Sequence, residues 1–290
     1  MTPRLLTDAD VARFPVRDAI ENMRRAVLLH ESGQLQSPPR LHATDLTFTV
    51  GGSAEAFGFR AYHTRAAAHD EQLVAVWDET GKVAGVVVGT ALGPLRTAAL
   101  GALATDVMSR PDAAHLGIIG SGTQAKAHAL AVASMRNLKR VLVYSRQREN
   151  CERLAAELRA AGLNAQAVAS AEAVCAKSDL LTLATNSPTP VIQADWVRSG
   201  THVCTLGPKE RHRHEFPPEL AELAVWVVTD SPAQLRAYPG GHVLAGETVR
   251  SLSECVSGGT QRQPQDITLF LSVGLAGTEV LLAREILATA

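Results

Sequence analysis

The chain has 290 residues, enough for two domains, and 46% of them are hydrophobic, enough for a sizeable core. Its 28 basic residues balance 29 acidic ones, so no global field draws in nucleic acid or a membrane surface, and any anion site must be local. Four scattered cysteines (Cys151, Cys175, Cys204, Cys255) form no C-x-x-C pair, which argues against a disulfide framework or a zinc cluster.

The opening segment lacks a signal-peptide pattern, and the most apolar stretch, residues 83–95, is glycine-broken and too short to span a bilayer, so a soluble cytoplasmic protein is expected. In chain order, Thr7 followed by Asp8 and Asp10 reads as a helix start, with acids where the helix dipole favours them. Residues 16–30 place Ala19, Ile20, Met23, Val27 and Leu28 on one helical face, and Gly33 is set to end that helix. After a loop at 36–40, strand-like runs are expected at 40–50, 56–63, 73–77 and 83–88, the last two joined by a hairpin turn at Glu79-Thr80-Gly81. This third reads as an α+β unit. Residues 95–109 are helical, open with Arg96 and Thr97, and stop at Pro111.

Strands then alternate with helices: strands are expected at 116–119, 141–144, 165–169, 180–184, 202–206 and 224–229, with helices at 124–135 and 150–161 among the segments between. The pattern predicts an α/β fold: a Rossmann-like, doubly wound parallel-sheet domain over 113–264, beside an α+β domain of residues 1–112 completed by 265–290. Residues 230–264 read as loop-rich, and 267–288 as apolar helical sequence that packs back on the first domain. Trp77, Trp196 and Trp226 lie in apolar runs and are expected in the core.

The organising stretch is Leu116 to Ala125, a strand, a glycine turn and a helix start carrying the G-x-G-x-x-A form of the dinucleotide fingerprint at Gly120, Gly122 and Ala125. Gly120 permits the tight turn, Gly122 lets backbone approach a pyrophosphate, and the helix N-terminus offers unpaired N–H groups. The end of the second strand decides between nicotinamide cofactors, because a carboxylate there accepts from a ribose 2′-hydroxyl and repels a 2′-phosphate. Here the segment is Tyr144-Ser145-Arg146-Gln147-Arg148, with no acid and two arginines. Ser145, Arg146 and Arg148 therefore favour NADP(H), with NAD(H) as the alternative.

These residues resemble the ornithine cyclodeaminase/mu-crystallin family. The resemblance rests on Pro39-Arg40, on Leu95-Arg96-Thr97-Ala98-Ala99, on Gly120-Ser121-Gly122-Thr123-Gln124-Ala125, and on Phe270-Leu271-Ser272-Val273-Gly274-Leu275-Ala276. Gly200-Thr201-His202, Leu206-Gly207 and Glu215 fit the same pattern. The resemblance implies a homodimer whose first domain carries substrate and interface and whose central domain binds NAD(P). It implies that Arg40 and Arg96 hold a substrate carboxylate, with Val273 beside it. It also places Thr97, Thr123, Gln124, Ser145, Thr185, Leu206 and Ser272 at cofactor contacts.

Two departures bear on the chemistry. The family's catalytic lysine position holds Arg60, and the aspartate that activates water in cyclodeaminases is replaced at the aligned position by Lys209. An arginine orients and polarises but does not serve as a base, so cyclodeamination is not expected. Arg40, Arg60, Arg96 and Lys209 together suit an acidic substrate, since a charge-assisted hydrogen bond contributes roughly 1.5–3 kcal/mol. The expected activity is NADPH-dependent reduction of a C=N or C=O bond next to a carboxylate. In that reading Arg60 orients the reacting group and Lys209 donates the proton, its pKa lowered by burial and neighbouring cations.

Alternatives stand beside these assignments: a surface loop for Lys209, a structural ion pair within the sheet for Arg60, and His63 as acid–base group. For the whole protein the alternatives are amino-acid dehydrogenation and NADPH binding without turnover. His212, His214 and Glu215 lie close in sequence, but flanking arginines oppose a cation, so no metal is expected and a solvated loop is. Asp230, ending a strand at the crevice, reads as a cap on the next turn, with contact to substrate or cofactor as the alternative.

Overall fold

The computed structural model describes residues 2–63 and 71–289. The chain divides into two compact units, residues 1–100 with 274–290, and residues 101–273. The division thus falls inside the helix Leu92–Met108 and just past the strand Ile267–Leu271, whereas the sequence pattern suggested 112 and 264.

The first unit is built on a six-stranded sheet in the order Arg4–Leu6, Val83–Gly89, Gln72–Asp78, Ala56–His63, Leu46–Gly52, Leu41–Ala43. All neighbours are antiparallel except the first pair, which is parallel. Residues 40–50 form two strands rather than one, because Thr44 takes a left-handed backbone (φ 50°) and turns the chain. The expected hairpin at Glu79–Gly81 is present; Gly81 is left-handed and the Asp78 carboxylate accepts from the Thr80 and Lys82 amides. The strand Arg4–Leu6 was not anticipated: its three residues are too few to show a period.

Period-two alternation sends Ala56, Arg60 and Tyr62 to the face covered by the helix Thr278–Thr289, and Phe57 and Phe59 to the other. That helix buries Val280, Leu281, Leu282, Ile286 and Leu287, and the helix Val16–Glu31 packs against it; Ala19, Ile20, Met23 and Val27 of the latter are buried as expected, but Leu28 is exposed. Each large side chain so buried contributes roughly 1.5–3 kcal/mol. The uncovered face carries Leu46, Val50, Phe57, Leu73 and Val88, all exposed, with Phe57 stacked on Trp77.

The second unit is an eight-stranded parallel sheet in the order Arg250–Ser251, Ala224–Thr229, Ile267–Leu271, His202–Thr205, Leu180–Leu183, His115–Ile119, Arg140–Tyr144, Ala165–Ala167. Residues 267–288 are therefore not one helix. Ile267–Leu271 is a central strand flanked by two others, and such a strand is apolar on both faces, which periodicity cannot tell from a buried helix. The chain winds outward from His115–Ile119 in both directions, so the switch point lies between that strand and Leu180–Leu183.

The end of the helix Leu92–Met108 is capped from within this unit. Arg262 donates to the Met108 carbonyl at 3.2 Å, Thr260 to Val107 at 2.7 Å and Arg136 to Asp106 at 2.6 Å, which meets carbonyls the helix leaves unpaired. His128 and His202 are fully buried on this sheet, bonded to Thr182 at 3.0 Å and Thr268 at 2.9 Å. Burial holds their pKa values down, to about 4 and about 3.

None of the three tryptophans is fully buried. Trp77 stands on the open sheet face of the first unit, Trp196 lines a cleft of the second, and Trp226 lies under Arg250 at 4.2 Å. Among the described residues no helix is long and apolar enough to cross a membrane.

Candidate active site

At the switch point of the second unit a cleft of about 660 Å³ opens, lined by Gly120, Gly122, Ser145, Arg146, Thr185 and Trp196 among others. The two fingerprint glycines do different work. Gly120 has φ +121°, and a Cβ there would strike the Ala184 carbonyl of the adjacent strand. Gly122 has an ordinary backbone, and a Cβ there would meet nothing within 4 Å, so its bare surface is left open. Gly122 is also the N-cap of the helix Thr123–Met135, whose first amides have no carbonyl partner within the helix. Gln124 follows in the first turn, its Oε1 buried without a partner. These residues fit a dinucleotide pyrophosphate.

Ser145 and Arg146 stand at the end of the strand Arg140–Tyr144 as expected, with Arg146 exposed. The Ser145 hydroxyl donates to the Gln147 carbonyl at 2.9 Å, so it must turn to donate to a phosphate. Arg148 does not line the cleft; it reaches along its own helix to Glu152 at 3.7 Å. Thr123 is exposed, and Thr97, in the first unit, is half-buried.

A second cluster forms where the strands Leu180–Leu183, His202–Thr205 and Ile267–Leu271 end. Glu215 is fully buried and its carboxylate accepts from the Gly207 amide at 2.5 Å, the Thr185 amide at 2.7 Å and the Thr185 hydroxyl at 2.8 Å. Burial raises its pKa, while Lys209 and these donors oppose the rise. Lys209 is not a surface lysine. It is fully buried on the short hairpin Lys209–Glu210 and Arg213–His214, and its ammonium donates to the Gly207 carbonyl at 2.7 Å.

Burial raises the pKa of the nearby Cys204 thiol; Lys209 opposes the rise, and Glu215 and Asp230 add to it. Ser231, next to Asp230, is the N-cap of the helix Pro232–Arg236. The Asp230 carboxylate accepts from the Val273 amide at 2.8 Å and the Ser272 hydroxyl at 3.3 Å, tying two strand ends together. Leu206 continues the sheet through its amide to the Leu183 carbonyl. The segment 211–215 is not simply a solvated loop: His212 is exposed but Glu215 turns inward. Among the described residues no three histidine, cysteine or acidic side chains gather as metal ligands.

In the first unit, Arg60 and Arg96 converge on one buried carboxylate, Glu279, in the first turn of the helix Thr278–Thr289. Arg60 donates to Glu279 Oε1 at 3.0 Å, Arg96 donates to the same oxygen, and Arg60 stacks over the Tyr62 ring at 4.2 Å. Burial and Arg96 press the Arg60 pKa down against the pull of Glu279. Burial alone would raise Glu279, but the two guanidiniums prevail and hold it at about 2. The ion pair weighed for Arg60 is thus present, with a helix rather than a sheet partner.

Arg40 and Arg96 both lie near Gly274, whose φ is +95°, and a Cβ there would strike Arg40 Nη2 and come within 3.7 Å of Arg96 Nη1. His63 is exposed at the end of its strand. Glu279 was missed by the sequence reading, although an acid two residues after a glycine and directly before Val280-Leu281-Leu282 signals a buried charge that needs a partner.

Comparison with known proteins agrees with this architecture. A ketimine reductase mu-crystallin from Mus musculus is 26% identical over 223 residues, covering 77% of this chain and 70% of its own length. An alanine dehydrogenase from Archaeoglobus fulgidus is 26% identical over 312 residues, covering 98% and 94%. The Δ1-pyrroline-2-carboxylate reductase of Thermococcus litoralis, solved in complex with NADH and L-proline, aligns with TM-score 0.87 at 26% identity over 99% of this chain and 97% of that one. The sequence profile of the ornithine cyclodeaminase/mu-crystallin family matches residues 8–290. The chain belongs to the ornithine cyclodeaminase/mu-crystallin family.

Proposed function

We propose that this protein is an NAD(P)H-dependent reductase of a C=N bond adjacent to a carboxylate, acting on cyclic ketimines or α-imino acids, with NADPH preferred. The observation that carries it is the convergence of Arg40 and Arg96 on the bare backbone of Gly274, a seat for one carboxylate, in a chain that also has a fingerprint cleft. The likeness to the mouse ketimine reductase and to the Thermococcus Δ1-pyrroline-2-carboxylate reductase supports the same chemistry. Cofactor preference for NADPH is supported by Ser145 and Arg146 in the cleft, though the Thermococcus relative holds NADH.

When bound, the reduced nicotinamide supplies hydride. Arg40 and Arg96 fix the carboxylate, and Arg60 belongs to the frame that holds Arg96. Thr185 and Ser272 are held for cofactor contact by Glu215 and Asp230. Lys209 Nζ is the assigned proton source, and its ammonium cannot replace the water-activating carboxylate of a cyclodeaminase. The open apolar face of the first unit's sheet supports a homodimer that buries it.

The test is oxidation of NADPH against a panel of cyclic imino acids and of α-keto acids with amines. Specific oxidation is expected, with Lys209→Met losing at least 100-fold in kcat. Binding of NADPH with no turnover across the panel overturns the reading in favour of a binding protein. The full-length match to an alanine dehydrogenase favours a second reading, deamination of an amino acid, which cofactor reduction with L-alanine would reveal.

A further inference from the structure

We propose that Glu279 is a positioning residue: it takes up Arg60 and one edge of Arg96, so that the other edge of Arg96 is presented with Arg40 as a single carboxylate seat above Gly274. The inference rests on the carboxylate-binding part of the proposed function. Four features carry it, all within the first unit. Both guanidiniums reach one oxygen of Glu279, so the carboxylate acts as a pivot between them rather than as a partner of either alone.

Arg60 is engaged on two sides, by Glu279 and by the Tyr62 ring, and only 12% of its side chain is exposed, so little of its charge is presented outward. Arg96 is 3% exposed; its Nη2 is the edge on Glu279 and its Nη1 is the edge near Gly274, beside Arg40 Nη2. A planar guanidinium anchored through one edge has the other edge fixed in direction, and bidentate recognition of a carboxylate needs that fixity. Gly274 completes the device, because any side chain at this left-handed position would displace Arg40.

A merely neutralising carboxylate would make a different prediction. If Glu279 only cancels the charge of Arg60, removing both together restores the site. If it directs Arg96, the site stays impaired. The experiment compares wild type, Glu279→Gln and the charge-balanced pair Arg60→Gln/Glu279→Gln, with circular dichroism as the check on folding. The balanced pair keeps the comparison open should Glu279→Gln alone, which strands two buried cations, fail to fold.

Affinity is read by calorimetry with pyrrole-2-carboxylate, a flat carboxylate that cannot be reduced at an imine, and turnover with Δ1-pyrroline-2-carboxylate and NADPH. The balanced pair is expected to bind the carboxylate at least ten-fold more weakly and to raise its KM by a similar factor, with the KM for NADPH within two-fold of wild type. Wild-type affinity and KM in the balanced pair overturn the inference, as does a wild type that binds no carboxylate. Carboxylate binding that weakens as expected, in a wild type that reduces no imine, supports the inference and overturns the proposed reductase alone.

Discussion

Gly120 and Gly122 sit two positions apart in one turn, yet the structure gives them separate tasks that a pair of substitutions can resolve. Gly120→Ala forces an L-residue into φ +121° against the Ala184 carbonyl, a strain of about 1–3 kcal/mol before the clash is counted. Thermal unfolding is expected to fall by at least about 4 °C, given roughly 2–4 °C per kcal/mol for chains of this order. Gly122→Ala meets no protein atom, so its unfolding temperature stays within about 1 °C while NADPH affinity, read by fluorescence titration, drops at least ten-fold. A Gly122→Ala protein that binds NADPH normally would show that the pyrophosphate lies elsewhere. At this scale the sequence was most informative where a motif states its own geometry, as in the fingerprint. It was least informative for Glu279 and Lys209, because which cation meets which carboxylate depends on strands and helices far apart in the chain.

Among the elements of the second unit, the buried histidines couple the parallel sheet to acidity. The folded state holds His128, His202 and His242 below their ordinary pKa, at about 4, 3 and 4, so the unfolded chain takes up protons first as pH falls. Their contribution is complete above about pH 6.5 and is lost as pH falls toward the folded values. Glu279, held at about 2, adds its own loss only below its unfolded value near 4.5. Between pH 5 and 6 the histidines therefore dominate, and denaturation midpoints should fall steadily across that range. His202→Gln is expected to reduce the slope by about one proton, or about 1.4 kcal/mol per pH unit. An unchanged slope would mean that His202 is already protonated in the folded protein. Elements with a clear period were legible, among them Val16–Glu31 and Ala56–His63, since alternation or amphipathic spacing reports a half-buried surface. Ile267–Leu271 was not, because a central parallel strand is apolar all round and its neighbours come from elsewhere in the chain.

For the whole molecule, the open face of the six-stranded sheet carries the prediction. Leu46, Val50, Phe57, Leu73 and Val88 form an exposed apolar surface on adjacent strands, and a second copy is the proposed cover. Light scattering is expected to give twice the 30.8 kDa chain mass, and Phe57→Asp to return a monomer that keeps its circular dichroism. A wild type that stays monomeric at micromolar concentration would rule out a second copy as the cover of this face. The first unit also has a temporal consequence through its discontinuity. Its sheet is made early in synthesis, but the helix that covers it, and the carboxylate that reconciles Arg60 with Arg96, arrive only after the entire second unit has left the ribosome. Until then Arg60 on the sheet and Arg96 on the helix Leu92–Met108 lack their common carboxylate, so the central unit has every opportunity to fold first and the earlier-made unit must wait for its own last segment.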